Sequence, residues 1–190
     1  MILQTIANYI FKKRVRQHLL NTQRNSMFVN YNRARRVLLL FESHFSEKNT
    51  ETKRLIEKLQ ADGKSVIAWG YVDKRKPVSP EYPDYKVLGK CDLDITGRPR
   101  MALLKELEEM EFDLVIDVSR KAWLPLSYLL LYSNARCKAG MKKEGEQLYD
   151  FAVDVDDLLA QKEMSVDDMK FSFLFEHIIF YLKSIQTTDY

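Results

Sequence analysis

The chain has 190 residues, of which 46% are hydrophobic and 30% charged, and its net charge is +3. This composition fits a folded domain that buries its own core and excludes an intrinsically disordered chain. The two cysteines, Cys91 and Cys137, are far apart and too few for a disulfide framework or a four-cysteine zinc site.

The N-terminus does not have the pattern of a secretory signal peptide, because its apolar residues precede the positive charges instead of following them. The longest apolar runs, such as residues 124–132, are too short to span a bilayer. We therefore expect a cytoplasmic protein without a transmembrane segment.

Positive charge is concentrated at the start of the chain. Residues 1–41 contain eight cations and no Asp or Glu, a net charge of +8, so the rest of the chain carries −5. The cations are Lys12, Lys13, Arg14, Arg16, Arg24, Arg33, Arg35 and Arg36. We predict that residues 1–32 form a basic helical arm and residues 33–190 a separate domain.

The first predicted elements form a β-α-β unit behind the arm. Apolar periodicity predicts a helix over residues 2–24, and the uninterrupted apolar run 37–41 predicts a strand buried on both faces. A helix over residues 50–61 and a strand over 65–72 follow, separated by Gly63. The crossover between the two strands should be right-handed.

Strands and helices continue to alternate in the second half of the chain. The predicted elements are a strand at 85–88, a helix at 99–110, a strand at 112–118, a helix at 123–133, a strand at 136–140, a charged loop at 142–146, an edge strand at 151–155 and a closing helix at 164–185. This alternation predicts an α/β fold, a Rossmann-like or flavodoxin-like parallel sheet of five to six strands with its strand order open.

The loops that follow the strands are the candidate ligand site, because doubly wound sheets bind ligands beyond the carboxyl ends of their strands. The candidate residues are Ser43, His44, Asp73, Ser119, Arg120 and Lys121. Two cations at the start of a helix can hold a phosphate or carboxylate. The alternative is a solvated loop whose cations meet acidic groups of the domain.

Two aspartates of the central strand are interpreted as structural. Asp113 and Asp117 share a face but lie about 13 Å apart, too far to share a proton or one metal ion. Asp117 is expected to hold the loop after the first strand by hydrogen bonds. The dinucleotide, phosphate-loop and nucleophile-elbow motifs are absent from the sequence, so we predict no cofactor, no metal site and no catalytic residue.

The arm has three possible roles. It can contact nucleic acid, with cations for phosphates and aromatic rings for bases, the rings being Tyr9, Phe11, Phe28 and Tyr31. It can lie on an anionic membrane through the apolar residues Ile2, Leu3, Ile6, Ile10 and Phe11. Alternatively, its apolar side packs on the domain or on a second copy of the chain, and its cations meet the acidic groups of the domain.

The second half of the chain carries two resemblances. Residues 113–117, 126–131, 133–140 and 149–150 resemble an uncharacterised bacterial family, a domain of unknown function, which implies a Rossmann-like fold and no particular activity. Residues 112–117 and 134–140 are similar to the N-terminal half of heptosyltransferase-like glycosyltransferases. That family's glutamine-glycine pair is replaced here by Ser119 and Arg120, and its second half would follow beyond Tyr190. The resemblance therefore implies the fold and not a complete glycosyltransferase.

The charge distribution decides the expected function. We expect a non-enzymatic binding protein whose residues 1–36 contact RNA, such as the RNA of a ribosome, or an anionic membrane surface. The alternative is a small enzyme, or the remnant of one, that binds a phosphorylated or nucleotide ligand at the carboxyl edge of the sheet.

Overall fold

The computed structural model describes residues 2–21, 27–43, 50–75, 85–143 and 148–185. The helices and strands in these residues are α1 (Ile2–Asn21), β1 (Arg36–Glu42), α2 (Thr50–Ala61), β2 (Ser65–Tyr71), β3 (Tyr85–Leu88), α3 (Met101–Glu108), β4 (Glu111–Asp117), α4 (Leu124–Tyr132), β5 (Asn134–Met141), β6 (Phe151–Val153), α5 (Asp156–Gln161) and α6 (Phe171–Ser184). Short 3-10 helices lie at Lys90–Asp92 and Val166–Asp168.

The six strands form one sheet in the order β3-β2-β1-β4-β5-β6, and every neighbouring pair is parallel. The α/β fold with a parallel sheet is thereby confirmed. The strand order is the Rossmann order, not the flavodoxin order, and it reverses between β1 and β4. The carboxyl ends of β1 and β4 therefore flank the position where such sheets bind ligands.

The sheet has a hydrophobic core on each face, which explains the uninterrupted apolar run of β1. Leu39 and its neighbours of the same parity pack under α2 and α6, while Leu38 and Leu40 pack under α3 and α4. These leucines are fully buried. Because successive strand residues point to opposite faces, a strand covered on both sides needs apolar residues at every position.

The arm packs on its own domain. The ring of Phe11 on α1 meets the ring of Tyr128 on α4 edge to face, with centroids 4.7 Å apart, and His18 lies 5.3 Å from Tyr132. Ala7 is buried on the same side of α1. Helix α4 is apolar all round because the sheet covers one side of it and α1 and α3 cover others.

Besides shifts of one or two residues at the ends of other elements, two predictions near the C-terminus differ from the structure. The predicted closing helix at 164–185 is divided, because Ser165 donates a hydrogen bond to the carboxylate of Asp168 and closes a 3-10 turn before α6 begins at Phe171. The predicted edge strand at 151–155 ends at Val153, and the short helix α5 follows.

Candidate functional site

The carboxyl edge of the sheet is spanned by an ion pair at the point where the strand order reverses. Glu42 is the last residue of β1, and its carboxylate accepts hydrogen bonds from Nε of Arg120 at 2.5 Å and from Nε1 of Trp123 at 2.7 Å. The side chains of Arg120 and Glu42 are only 12% and 6% exposed. Both carboxylate oxygens of Glu42 therefore have partners within the protein.

The guanidinium of Arg120 also holds the segment that leads into α6. It donates hydrogen bonds to the carbonyl oxygens of Asp167 at 2.7 Å and Met169 at 3.1 Å, and it lies 4.8 Å from the ring centroid of Phe171. A phosphate bound at this position would compete with Glu42 and two carbonyl groups for the same donors. The geometry thus gives Arg120 a structural contact with β1 and with the start of α6.

Lys121, the second predicted anion-binding cation, forms an exposed ion pair. Its ammonium lies 2.8 Å from the carboxylate of Asp167. The hydrogen bond from Lys121 lowers the pKa of Asp167 below its usual value. Lys121 and Arg120 therefore both contact the 3-10 turn at Val166–Asp168. This arrangement agrees with the alternative interpretation, in which the two cations meet acidic groups of the domain.

A second polar cluster, buried under the loops after β4 and β5, contains four side chains. The ammonium of Lys143 lies 2.8 Å from Oδ2 of Asp117, 2.8 Å from Oγ of Ser119 and 3.0 Å from the hydroxyl of Tyr149. The Tyr149 hydroxyl donates to Asp117 at 2.6 Å, and the side chains of Lys143 and Asp117 are 5% and 2% exposed.

This cluster holds Ser119 as a structural residue. The Ser119 hydroxyl donates its proton to Oδ1 of Asp117 at 2.5 Å, while the Lys143 ammonium is paired with the other oxygen of the same carboxylate. A nucleophilic serine needs a neighbouring base that can accept its proton, and here the Lys143 amine and the Asp117 carboxylate are paired with each other. Asp117 holds the loops after β4 and β5, whereas residues 44–49 of the loop after β1, which it was expected to hold, lie outside the described residues.

The remaining candidates of the carboxyl edge also bond within the protein. Asp73 forms an ion pair with Lys90 at 2.9 Å and accepts a hydrogen bond from the hydroxyl of Tyr71 at 3.0 Å. The hydrogen bond from Lys90 is the main cause that lowers the pKa of Asp73. The amide of Ser43 donates to the carbonyl of Tyr71 at 2.8 Å. His44 lies outside the described residues.

Lys143, Tyr149 and Trp123 are site residues that the sequence analysis missed. Lys143 is the second residue after β5, so the rule that selected the loops after β1, β2 and β4 would have selected it as well. In the ranges that the structure describes, no three His, Cys, Asp or Glu side chains are grouped in a way that could hold a metal ion.

The basic residues of the arm fall into two groups. Lys12, Lys13, Arg14 and Arg16 are exposed on α1, and none of them bonds to or pairs with another described residue. The cations at the strand-start edge are in a different setting, since Arg36 pairs with Glu111 at 2.8 Å and the amides of Arg35 and Arg36 donate to Asp113.

Of the remaining predicted basic residues, Arg33 and Arg35 do not extend the group of exposed cations on α1. Arg33 and Arg35 are exposed beside the start of β1, and Arg24 lies outside the described residues. The group on α1 is therefore the part of the basic arm in which four neighbouring cations lack a partner among the described residues.

The predicted stacking groups are also separated by the structure. Phe11 and Tyr31 are buried and Phe28 is half-buried, whereas the side chain of Tyr9 is 70% exposed. One of the four aromatic rings is thus presented to solvent among the cations of α1.

Comparison with known proteins places the chain in a family without giving it an activity. In the described part of the chain, no helix combines the length and hydrophobicity that crossing a membrane requires. No curated protein and no solved structure matches the sequence, so the similarity to heptosyltransferase-like enzymes gains no support. A family of unknown function, DUF6913, matches residues 8–185. The chain therefore belongs to the DUF6913 family.

Proposed function

We propose that this chain is a binding protein whose helix α1 contacts RNA. The observation that carries the proposal is the division of α1 into two sides. One side packs on α4 through Phe11, and the opposite side presents to solvent cations that pair with no described side chain. Because α1 packs on the domain through its other side, its cations do not contact the acidic side chains of the described domain. They can therefore bind a polyanion.

The positions of the cations follow from helix geometry. Successive residues are rotated by about 100° around a helix axis. This rotation places several residues in one sector of about 100° on the side of α1 opposite Phe11. Besides Ile2 and Thr5, the sector holds five residues that we call the outer stripe: Tyr9, Lys12, Lys13, Arg16 and Leu20. Arg14 lies off the stripe, toward α4. The chain has no Asp or Glu before Glu42, so no acid interrupts the stripe.

RNA is favoured over a membrane because part of the apolar face that a membrane would need is already used. Interfacial helices insert their apolar side into the lipid and keep their cations at the headgroups. In α1, Phe11 is buried against Tyr128 and Ala7 is buried beside it. The outer stripe is mainly cationic, which suits phosphates in water better than acyl chains.

A phosphorylated small molecule at the carboxyl edge has less support. Arg120 and Lys121, the two cations expected to hold its phosphate, contact Glu42 and Asp167. A ligand there would have to replace an ion pair that is nearly buried.

The proposal is tested by removing the outer-stripe charges. A variant with Lys12→Gln, Lys13→Gln and Arg16→Gln keeps good helix formers in α1 while removing three cations. A charge-matched control carries Arg54→Gln, Lys162→Gln and Lys170→Gln, three exposed positions in or next to the helices of the opposite sheet face. Binding to a fluorescent RNA is measured by anisotropy at several salt concentrations.

The expected result is a change in salt dependence as well as in affinity. Each phosphate contact on a single strand contributes about 0.7 to the slope of log affinity against log salt. Losing three contacts should therefore lower the slope by about 2, and the control should keep it. Equal binding by both variants overturns the proposal. Loss of binding to phosphatidylglycerol vesicles in place of RNA would overturn it in favour of a membrane surface.

A further inference from the structure

We infer that the outer stripe of α1 recognises unpaired nucleotides, with one base stacked on Tyr9 and the neighbouring phosphates on Lys12, Lys13 and Arg16. This inference rests on the proposed RNA binding and adds the class of RNA. Stacking on aromatic rings combined with cations that follow the backbone is how proteins hold single strands.

The position of Tyr9 supports stacking. Its ring is exposed, while the rings of Phe11 and Tyr31 are buried in the protein. Tyr9 lies one helical turn before Lys12 and Lys13 and two turns before Arg16. The distance along the axis from Tyr9 to Arg16 is about 10 Å, so one ring and three cations can meet adjacent nucleotides of one strand.

The exposed apolar residues beside the cations indicate that the outer stripe contacts bases as well as phosphates. Leu20, in the outer stripe, is 84% exposed, and Ile6, at its border, is 48% exposed. In a duplex the base faces are covered by their neighbours and offer nothing to such side chains. A single strand exposes its base faces, which apolar and aromatic groups can then cover.

The docking of α1 argues against insertion into a duplex groove. A helix that reads a major groove enters it with a large part of its surface, and the major groove of A-form RNA is too deep and narrow for side chains to read. Here one side of α1 contacts α4, with Phe11 and His18 against Tyr128 and Tyr132. The outer stripe is therefore exposed on the surface of the domain, on the side of α1 that does not contact α4.

The test measures how the whole chain binds single-stranded and duplex RNA, with and without the aromatic ring at position 9. The probes are a mixed-sequence single-stranded RNA of about 12 nucleotides and the blunt duplex of the same sequence. The variants are Tyr9→Leu, which removes the ring, and Tyr9→Phe, which keeps it. Circular dichroism and thermal unfolding of both variants establish that α1 remains folded.

The single strand should bind at least tenfold more tightly than the duplex, and Tyr9→Leu should weaken single-strand binding by roughly 5- to 150-fold. Tyr9→Phe should bind like the natural protein. The salt slope should stay unchanged in Tyr9→Leu, because no charge is lost. Arg16→Gln, on the stripe, should lower the slope more than Arg14→Gln, a matched change off the stripe.

Two failures are distinguishable. If duplex and single strand bind equally and Tyr9→Leu behaves like the natural protein, the inference is overturned while RNA binding by α1 stands. If neither RNA binds at low salt, the inference fails together with the proposed function.

Discussion

The Nε atom of Arg120 lies 2.5 Å from Oε1 of Glu42, and this ion pair joins the loop after β4 to the end of β1 where the strand order reverses. Rossmann-like sheets bind their ligands at this point. In this chain the indole N–H of Trp123 donates a hydrogen bond to the second carboxylate oxygen of Glu42. The protein's own side chains thus make polar contacts with one another at this position.

Removing Arg120 should strongly destabilise the protein. Arg120→Met leaves the Glu42 carboxylate buried without its cation, and breaking a buried pair in this way costs about 3–5 kcal/mol. The free energy of unfolding in urea measures the loss. Lys121→Met is the control, because its pair with Asp167 is exposed and screened by water, so we expect a small effect. Equal stability of the two variants would contradict a structural role for the Arg120 pair.

The buried pair of Lys143 with Asp117 gives a second stability prediction. Lys143→Met should cost about 3–5 kcal/mol of unfolding free energy, because Asp117 would remain buried without its ion-pair partner. Lys142→Met is the matched control, since the adjacent Lys142 pairs with Asp154 at the surface. Adding Asp117→Asn to Lys143→Met should recover part of the loss. A double variant as unstable as the sum of both single changes would rule out the pairing.

A larger side chain at position 140 should destabilise the protein while Tyr149 is present. A Cβ atom at position 140 would lie 2.4 Å from Cε1 of Tyr149, whose hydroxyl is held by Asp117 and Lys143. Gly140→Ala should therefore cost about 1–3 kcal/mol through overpacking, measured by chemical denaturation. In a Tyr149→Ala background the same change should cost much less. An equal cost in both backgrounds would show that the ring of Tyr149 is not the obstacle.

Local sequence signals predicted most of the fold. The apolar run of β1, the helix α2 and the short strand β3 were confirmed because each depends on residues close in sequence, with Gly63 marking the end of α2. The division of the predicted closing helix was missed because the 3-10 turn depends on a side-chain hydrogen bond between Ser165 and Asp168. The periodicity of apolar residues predicts where a helix can form, but it does not predict a hydrogen bond between two polar side chains.

The candidate site was harder to predict from the sequence than the fold, because its contacts join residues far apart in the chain. Arg120 was predicted as a candidate beside a strand end, but only the strand order brings it to Glu42 at the end of β1. The inner side of α1 was also missed in part, since Ile6 is exposed while Ala7 is buried. Which side faces inward depends on where α4 lies, and the periodicity of α1 does not contain that information.

The contact between α1 and the domain should weaken as the pH falls. Burial, together with the nearby charge of Lys138, lowers the pKa of His18 below its usual value of 6.5. The folded state therefore resists protonation of His18 more than the unfolded state does. The stabilisation is fully present above pH 6.5 and is lost progressively as the pH falls from 6.5 through the lowered pKa of the folded state.

Two measurements check this prediction. The free energy of unfolding of the natural protein relative to His18→Gln, which cannot titrate there, should be constant above pH 6.5 and fall below it. The amplitude should be modest because the ring is half-exposed beside Tyr132. An NMR titration of the His18 ring should give a midpoint below 6.5, and Lys138→Met should move the midpoint upward by removing a neighbouring positive charge. A midpoint at or above 6.5 in the natural protein would mean that His18 is solvated and that α1 does not pack on α4 through this residue.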